Sequence, residues 1–343
     1  MSTKNILNIT FILCLIFTLT NCNEKAAHSQ KMTGNPDHPS EKIINEKIVT
    51  VNKKEYDDRI LKLANGDTTG FWPVKPQPYP LKGAILPFKR IVAYYGNLYS
   101  KNMGILGEYP PEELWEKLHM EIDAWEKADP STPVQPAIHY IAVVAQQGPM
   151  KDGTYRMRMP EHQIDSALAI ANMGNAIVFL DIQVGLSTVE QELPLLEKYL
   201  KMPHVHLAID PEFSMKDGTP PGKKIGTYDA KDINFCSDFL VNLVQENNLP
   251  PKIFVIHRFT QHMITNYKQI KLHPEVQIVI NMDGWGAPAL KLNTYKQYIW
   301  KEPVQFTGFK LFYKNDLRQF PHRMLTPVEL MRLQPHPIYI QYQ

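Results

Sequence analysis

Carboxylates with a second polar side chain two residues away recur at the ends of apolar runs in this sequence. Asp181-Ile-Gln183, Asp210-Pro-Glu212 and Asn281-Met-Asp283 each close such a run, and His257-Arg258 closes another. In an extended strand, residues i and i+2 project from the same face. Asp181 is therefore expected to share a face with Gln183, Asp210 with Glu212, and Asn281 with Asp283. The alternate positions Leu180, Ile182, Leu207, Ile209, Ile278, Ile280 and Met282 are apolar and suit an opposite, packed face. Two carboxyls as close as Asp210 and Glu212 repel when both ionise, so one holds its proton more tightly. A carboxyl kept protonated near neutrality can serve as a general acid. Protonating a glycosidic oxygen needs such an acid, with charge stabilisation on the other side of the sugar ring.

Such groups act together only if the fold brings them together, and the chain from Pro87 onward suggests how. Eight short apolar runs rich in Ile, Val, Phe and Tyr are expected to be strands: Ile91–Tyr95, Ala137–Ala145, Ala176–Ile182, Val205–Asp210, Ile253–His257, Val276–Met282, Phe306–Tyr313 and Pro337–Tyr342. Most are apolar on both faces, as in a parallel sheet covered on both sides. Amphipathic stretches alternate with them at Pro111–Lys127, Glu161–Asn172, Thr188–Leu200, Ala230–Asn247 and Pro288–Trp300. Eight alternating units predict an α/β fold, a (β/α)8 barrel that lacks its last helix because the eighth run ends the chain.

The 28 prolines support this count. Pro87, Pro136, Pro203, Pro250-Pro251, Pro274, Pro303 and Pro335 each sit just before a run, where a residue without an N–H is tolerated. An open doubly wound sheet would carry a glycine-rich phosphate turn after its first strand, and Tyr95-Gly96-Asn97-Leu98 is not one. No dinucleotide or Walker fingerprint occurs, and no cofactor is expected.

In a barrel the chemistry sits at the C-terminal strand ends. The residues expected there are Tyr94, Tyr95, Gln146, Asp181, Gln183, Asp210, Glu212, His257, Asp283, Trp285, Lys310 and Tyr342. Tyr94, Tyr95, Phe213, Trp285 and Tyr342 could stack on sugar faces. His204 and His206 form a His-x-His, but they lie at a strand entrance, about 13 Å from Asp210 at the usual rise per residue. They are read as packing or surface residues, as are His119, His139, His162 and His322, which have no spaced partners. Met150–Thr154 and Met215–Thr219 both read Met-Lys-Asp-Gly-Thr and are expected to form paired turns.

The N-terminus carries Lys4 and an apolar stretch from Ile6 to Leu19, a secretory signal pattern too short to span a bilayer. It ends in Leu19-Thr20-Asn21-Cys22, which resembles the lipobox of bacterial lipoproteins. The expected organisation is a signal peptide at 1–21, then a lipidated Cys22, polar tether and proline-rich lead-in at 22–86, and the barrel at 87–343. A lipid on Cys22 would attach the chain to a membrane of the bacterial cell envelope, inner or outer. Cys14 falls in the leader, so Cys236 would be the single free thiol and no intrachain disulfide could form. A helix is expected at Tyr56–Ala64. The lead-in that follows, Phe71 to Pro80, should lie against the barrel, and one of these two segments would fill the place of the missing helix. With 37 basic and 35 acidic residues, the charge balance disfavours a nucleic-acid partner.

Three motifs carry a remote resemblance to chitinase-like and lysozyme-type glycoside-hydrolase barrels: Ile91-Val-Ala-Tyr94-Tyr95-Gly96, Asp210-x-Glu212 and Met282-Asp283-Gly-Trp285. The resemblance implies that Glu212 is the acid and that Asp210 steadies a substrate N-acetyl group acting as nucleophile. The chain differs from that pattern at Val205 and Ala208, where the family has further acids, at Asp283, where it has tyrosine, and in lacking a tryptophan on the eighth strand. The chain also resembles a family of bacterial lipoproteins that share its Tyr-Tyr-Gly, Asp-Pro-Glu-Phe and Met-Asp-Gly motifs, a likeness that implies no activity. Three functions stay open. One is a hydrolase acting on a glycan through Glu212 and Asp210. Another is a surface lipoprotein that binds a glycan, another small polar ligand or an envelope partner without catalysis. The third is a hydrolase using a metal at Asp181, Asp210, Glu212, His257 and Asp283, although the sequence motifs call for no metal. The oligomeric state is left open.

Overall fold

The computed structural model describes residues 51–343. The leader, Cys14, Cys22 and the first part of the tether lie outside the described residues. Among the described residues, no helix is long and apolar enough to cross a membrane.

Eight parallel strands close on themselves. They are β1 (Arg90–Gly96), β2 (Val134–Ala145), β3 (Ile177–Ile182), β4 (Val205–Ile209), β5 (Lys252–Arg258), β6 (Val276–Met282), β7 (Phe306–Leu311) and β8 (Tyr339–Tyr342). Each pairs with the next in sequence, and β8 pairs back onto β1 through Ile91↔Tyr339 to Tyr94↔Tyr342. All eight expected runs are strands of one barrel. Closure leaves no unpaired sheet edge.

Pro136 departs from the strand-entrance rule, because β2 begins two residues earlier, at Val134. There β2 is paired with β1 alone, and its ladder to β3 starts at Ala137, so the missing N–H falls outside that second ladder.

Helices cover the outside. After α1 (Lys53–Ala64) come α2 (Pro111–Ala128), α3 (Glu161–Asn172), α4 (Ala230–Glu246) and α5 (Pro288–Thr294). Pro111 opens α2 at a position that has no intrahelical acceptor, and Asp229 with Asp232 caps α4 reciprocally. The stretch expected as one helix over Thr188–Leu200 is instead two short α-turns joined by a 3-10 turn at Leu193–Leu196. Pro194 sits at that break, where it removes a donor. α5 continues as a π-helical turn, Tyr295–Trp300.

Strand periodicity divides the core in two. Val92, Leu180, Leu207, Ile256, Ile280 and Phe309 face the helices. Ile91, Ala93, Phe179, Ala208, Val255 and Val279 fill the barrel. The segment before β1 joins this inner core. Tyr56, Ile60, Leu63, Trp72 and Leu86 pack with Ile91, Ile177, Ile253, Phe306 and Ile338 at the strand beginnings. α1 and the lead-in thus plug the N-terminal end of the barrel rather than cover its side. Polar clasps fix the plug: Asn65 Nδ2 donates to the carbonyls of Met331 and Leu333, and Trp72 Nε1 donates to that of Gln305. Lys62 and the fully buried Arg90 share Asp129, at 2.7 and 3.1 Å. With one end plugged, the C-terminal end is the open mouth.

Candidate functional site

Each side chain at the mouth is set by its parity on a strand and by the turn that follows. Asp210 follows β4 directly. Its Oδ1 accepts the backbone N–H of Glu212 at 3.0 Å, within the short 3-10 turn Pro211–Phe213. This turn holds the Glu212 carboxyl over the mouth. Gln183, two residues beyond Asp181, accepts the Ala145 N–H through Oε1 at 3.1 Å and directs Nε2 to Tyr95 Oη at 3.3 Å and Asp210 Oδ2 at 3.5 Å. Asp283, just past β6, meets Lys310 Nζ of β7 at 2.9 Å and His257 Nδ1 of β5 at 2.9 Å. Lys310 Nζ also lies 3.7 Å from the Tyr95 ring centroid.

A pocket of ≈ 750 Å³ opens above these groups. Tyr95, Gln146, Gln183, Asp210, Glu212, Asp283, Trp285 and Lys310 all line it, with Phe213, Phe259 and Phe312 among its apolar walls. Eight of the twelve expected mouth residues therefore meet in one place. Trp285 stands at the rim, 45% exposed.

The rim turns form as expected. Asp152 accepts the Thr154 N–H and hydroxyl, Asp217 accepts the Thr219 N–H, and Gly153 and Gly218 take φ of +73° and +81°. Buried Glu192 receives Arg156 Nε and Arg158 Nε, each at 2.7 Å, and so ties the first of these loops to the helical segment after β3.

Two expected residues have the wrong parity. Tyr94 and Tyr342 belong to the helix-facing core. Tyr94 Oη is 3.1 Å from Tyr313 Oη, and Trp125 Nε1 donates to Tyr342 Oη at 3.0 Å. They pack under α2, because Tyr95 and Gln341 hold the inward positions on their strands. Asp181 and His257 do point inward, but they lie beneath the pocket, fully buried. His206 is likewise inside, accepting the Ile253 N–H through Nδ1 at 3.1 Å, a packing role far from the mouth.

His139, whose sequence context points only to packing or the surface, is central. Its Nε2 stands 3.3 Å from Asp181 Oδ2, and His257 Nε2 stands 3.3 Å from the same oxygen. Its Nδ1 lies 2.6 Å from Tyr339 Oη, which accepts from Gln341 Nε2 at 2.9 Å. His139 sits well inside β2, so attention to strand ends alone passes over it. The available signal was its parity with Ala137, which faces the barrel interior.

The environments drive the titrating groups apart. Burial, reinforced by the Asp283 charge and only partly offset by Lys310 and His257, raises Glu212 to about 7. Burial likewise holds Asp210 protonated well above the usual carboxylate range, with Glu212, Asp283 and Asp181 adding to it. Burial would also raise Asp283, but Lys310 and His257 overcome it and keep that carboxylate ionised. Asp181 is held low against its burial by His257 and His139. Burial lowers His139 to about 4, against the pull of Asp181. His257 rises to about 10, because Asp283 and Asp181 outweigh its burial. Burial, with Asp181 and Asp210 nearby, keeps the Tyr95 hydroxyl protonated. The mouth thus presents a proton donor at Glu212 and an ionised carboxylate at Asp283 in one pocket. No known protein family matches the chain, and no curated protein sequence matches it.

Proposed function

We propose that the barrel is a glycoside-hydrolase-like enzyme acting on a glycan, with Glu212 as general acid and Asp283 as the ionised carboxylate that stabilises positive charge on the sugar. The observation that carries this reading is the opposed protonation of these two residues in a single open pocket. Pairs of titrating groups pushed apart by their surroundings mark acid and base roles. Asp210, neutral and bonded to the Glu212 backbone, positions the acid. Trp285, Phe213, Phe259 and Phe312 supply apolar faces for sugar rings. The pocket volume falls in the usual range for small-ligand sites. The resemblance of Asp210-x-Glu212 to chitinase-like barrels also makes Glu212 the acid, with an N-acetylated sugar as the first substrate to test, whereas the role of Asp283, which stands where that family has tyrosine, is argued from the pocket alone. The lipobox-like Leu19-Thr20-Asn21-Cys22 supports attachment of the enzyme to the cell envelope through a lipid on Cys22.

The test is turnover on a panel of N-acetylated and neutral aryl glycosides and oligosaccharides. Glu212→Gln should lower turnover by about 10²–10⁴-fold, the usual worth of a general acid, while leaving ligand affinity intact. Substrates with strongly acidic leaving groups should recover much of that loss. Unchanged turnover in Glu212→Gln refutes the assignment. Saturable glycan binding with no turnover by the wild type would make the barrel a binding protein.

A further inference from the structure

Below the pocket, β2, β3 and β5 direct three metal-ligating groups at one point. His139 Nε2, His257 Nε2 and an Asp181 carboxylate oxygen lie within 4.8 Å of one another, all fully buried. We propose that this cluster binds one divalent transition-metal ion, with zinc the best match to two imidazoles and a carboxylate.

The spacing argues for a metal. Both Nε2 atoms stand 3.3 Å from Asp181 Oδ2. A charge-assisted N–H···O⁻ bond is shorter, about 2.7–2.9 Å. Ligands bound to zinc at its usual lengths in a tetrahedral site are separated by roughly 3.2–3.4 Å. Hydrogen bonding does not account for these atoms either. Both Asp181 oxygens, His139 Nε2 and His257 Nε2 are buried without a hydrogen-bond partner. Buried polar atoms left unpaired are strongly unfavourable, and four around one point imply something that pairs them.

The outer nitrogens are already committed. His257 Nδ1 is 2.9 Å from Asp283 Oδ2, and His139 Nδ1 is 2.6 Å from Tyr339 Oη. An oxygen on the far ring nitrogen is the support that metal-ligating histidines carry, and it turns Nε2 toward the ion. On the neighbouring strand the residue in register with Asp181 is the small Ala208. Asp181 and Asp283 supply negative charge, while the nearby Lys310 ammonium is engaged by Asp283. Two imidazoles and a carboxylate suit zinc and other first-row metals better than magnesium or calcium, which prefer oxygen alone. The competing arrangement is a doubly protonated His257 bridging Asp283 and Asp181 with no metal.

The experiment uses the purified chain and reads metal rather than glycan turnover, so it stands or fails separately from the hydrolase proposal. Metal content is measured by mass spectrometry. Chelator-stripped protein is then titrated with Co²⁺ and Zn²⁺. The expected result is one equivalent per chain, visible d–d absorption of a low-coordinate Co²⁺ site, and a Zn²⁺-dependent rise in Tm. His139→Ala should lose the equivalent. Asp181→Asn keeps the side-chain shape and carries the test if His139→Ala does not fold. His262→Ala, remote and exposed, should bind as wild type. Wild-type protein with no Co²⁺ absorption and no Tm response to about 100 µM of either ion overturns the proposal. So does unchanged binding in folded Asp181→Asn. Either result would leave Asp181 neutralised by the His257 imidazolium alone.

Discussion

Replacing Glu212 by glutamine should stabilise the protein, and chiefly at alkaline pH. The amide keeps the shape of the carboxyl but cannot ionise. In the folded chain Glu212 titrates at about 7, against 4.5 for an unperturbed glutamate, a difference of about 2.5 units. At about 1.4 kcal/mol per unit, the ceiling on the effect is about 3 kcal/mol, and partial exposure of the side chain reduces it. The sign follows from which state holds the proton. The folded chain binds it more tightly than the unfolded chain, so wild-type stability falls as pH rises from about 4.5 through about 7. Above that point the loss is complete. The variant has no such loss, so the two proteins should melt together near pH 5, and the variant should melt higher at pH 8–9. For a chain of this size the gap should reach at most about 5 °C. Paired calorimetric melts across this range measure it, and titrations common to both proteins cancel. In an Asp283→Asn background the gap should shrink, because the Asp283 charge is the largest contribution after burial. A Tm difference that does not change with pH, or that grows toward acid, would refute the environment assigned to Glu212.

Other expectations concern stability and binding. Asp129→Asn removes the carboxylate that neutralises the fully buried Arg90, and chemical denaturation should show a loss of about 3–5 kcal/mol. Because the Asp129 carboxyl is held below its usual range, this stabilisation is present above about pH 4 and fades on acidification. Gly308→Ala would place a Cβ 2.7 Å from Asn281 Oδ1 and 2.9 Å from the Tyr339 ring, overpacking the barrel centre and lowering stability by about 1–3 kcal/mol in a denaturant melt. Trp285→Ala, at the exposed rim, should change stability by less than about 0.5 kcal/mol while weakening binding of any glycan that the wild type cleaves, as measured by calorimetry.

Local rules carried much of this protein. Apolar runs of strand length, proline at most of their entrances and amphipathic stretches between them determine eight strands and the helices that cover them. Those signals act within a few residues, so they are legible in the sequence. The convention that barrels react at C-terminal strand ends brought eight of the expected residues to one pocket, although Glu212 reaches it through the 3-10 turn that Asp210 caps and not through strand alternation. Tertiary structure decided the rest. Closure of β8 onto β1 fixed which parity faces inward there, and so kept Tyr95, turned Tyr94 and Tyr342 toward the helices and set Gln341 inward. The docking of α1 and the lead-in chose which barrel end stays open. His139 shows the limit most clearly. It lies 42 residues before Asp181 and 118 before His257, and no local pattern links the three. Only the closed barrel, which sets β2, β3 and β5 around a common axis, brings their side chains together.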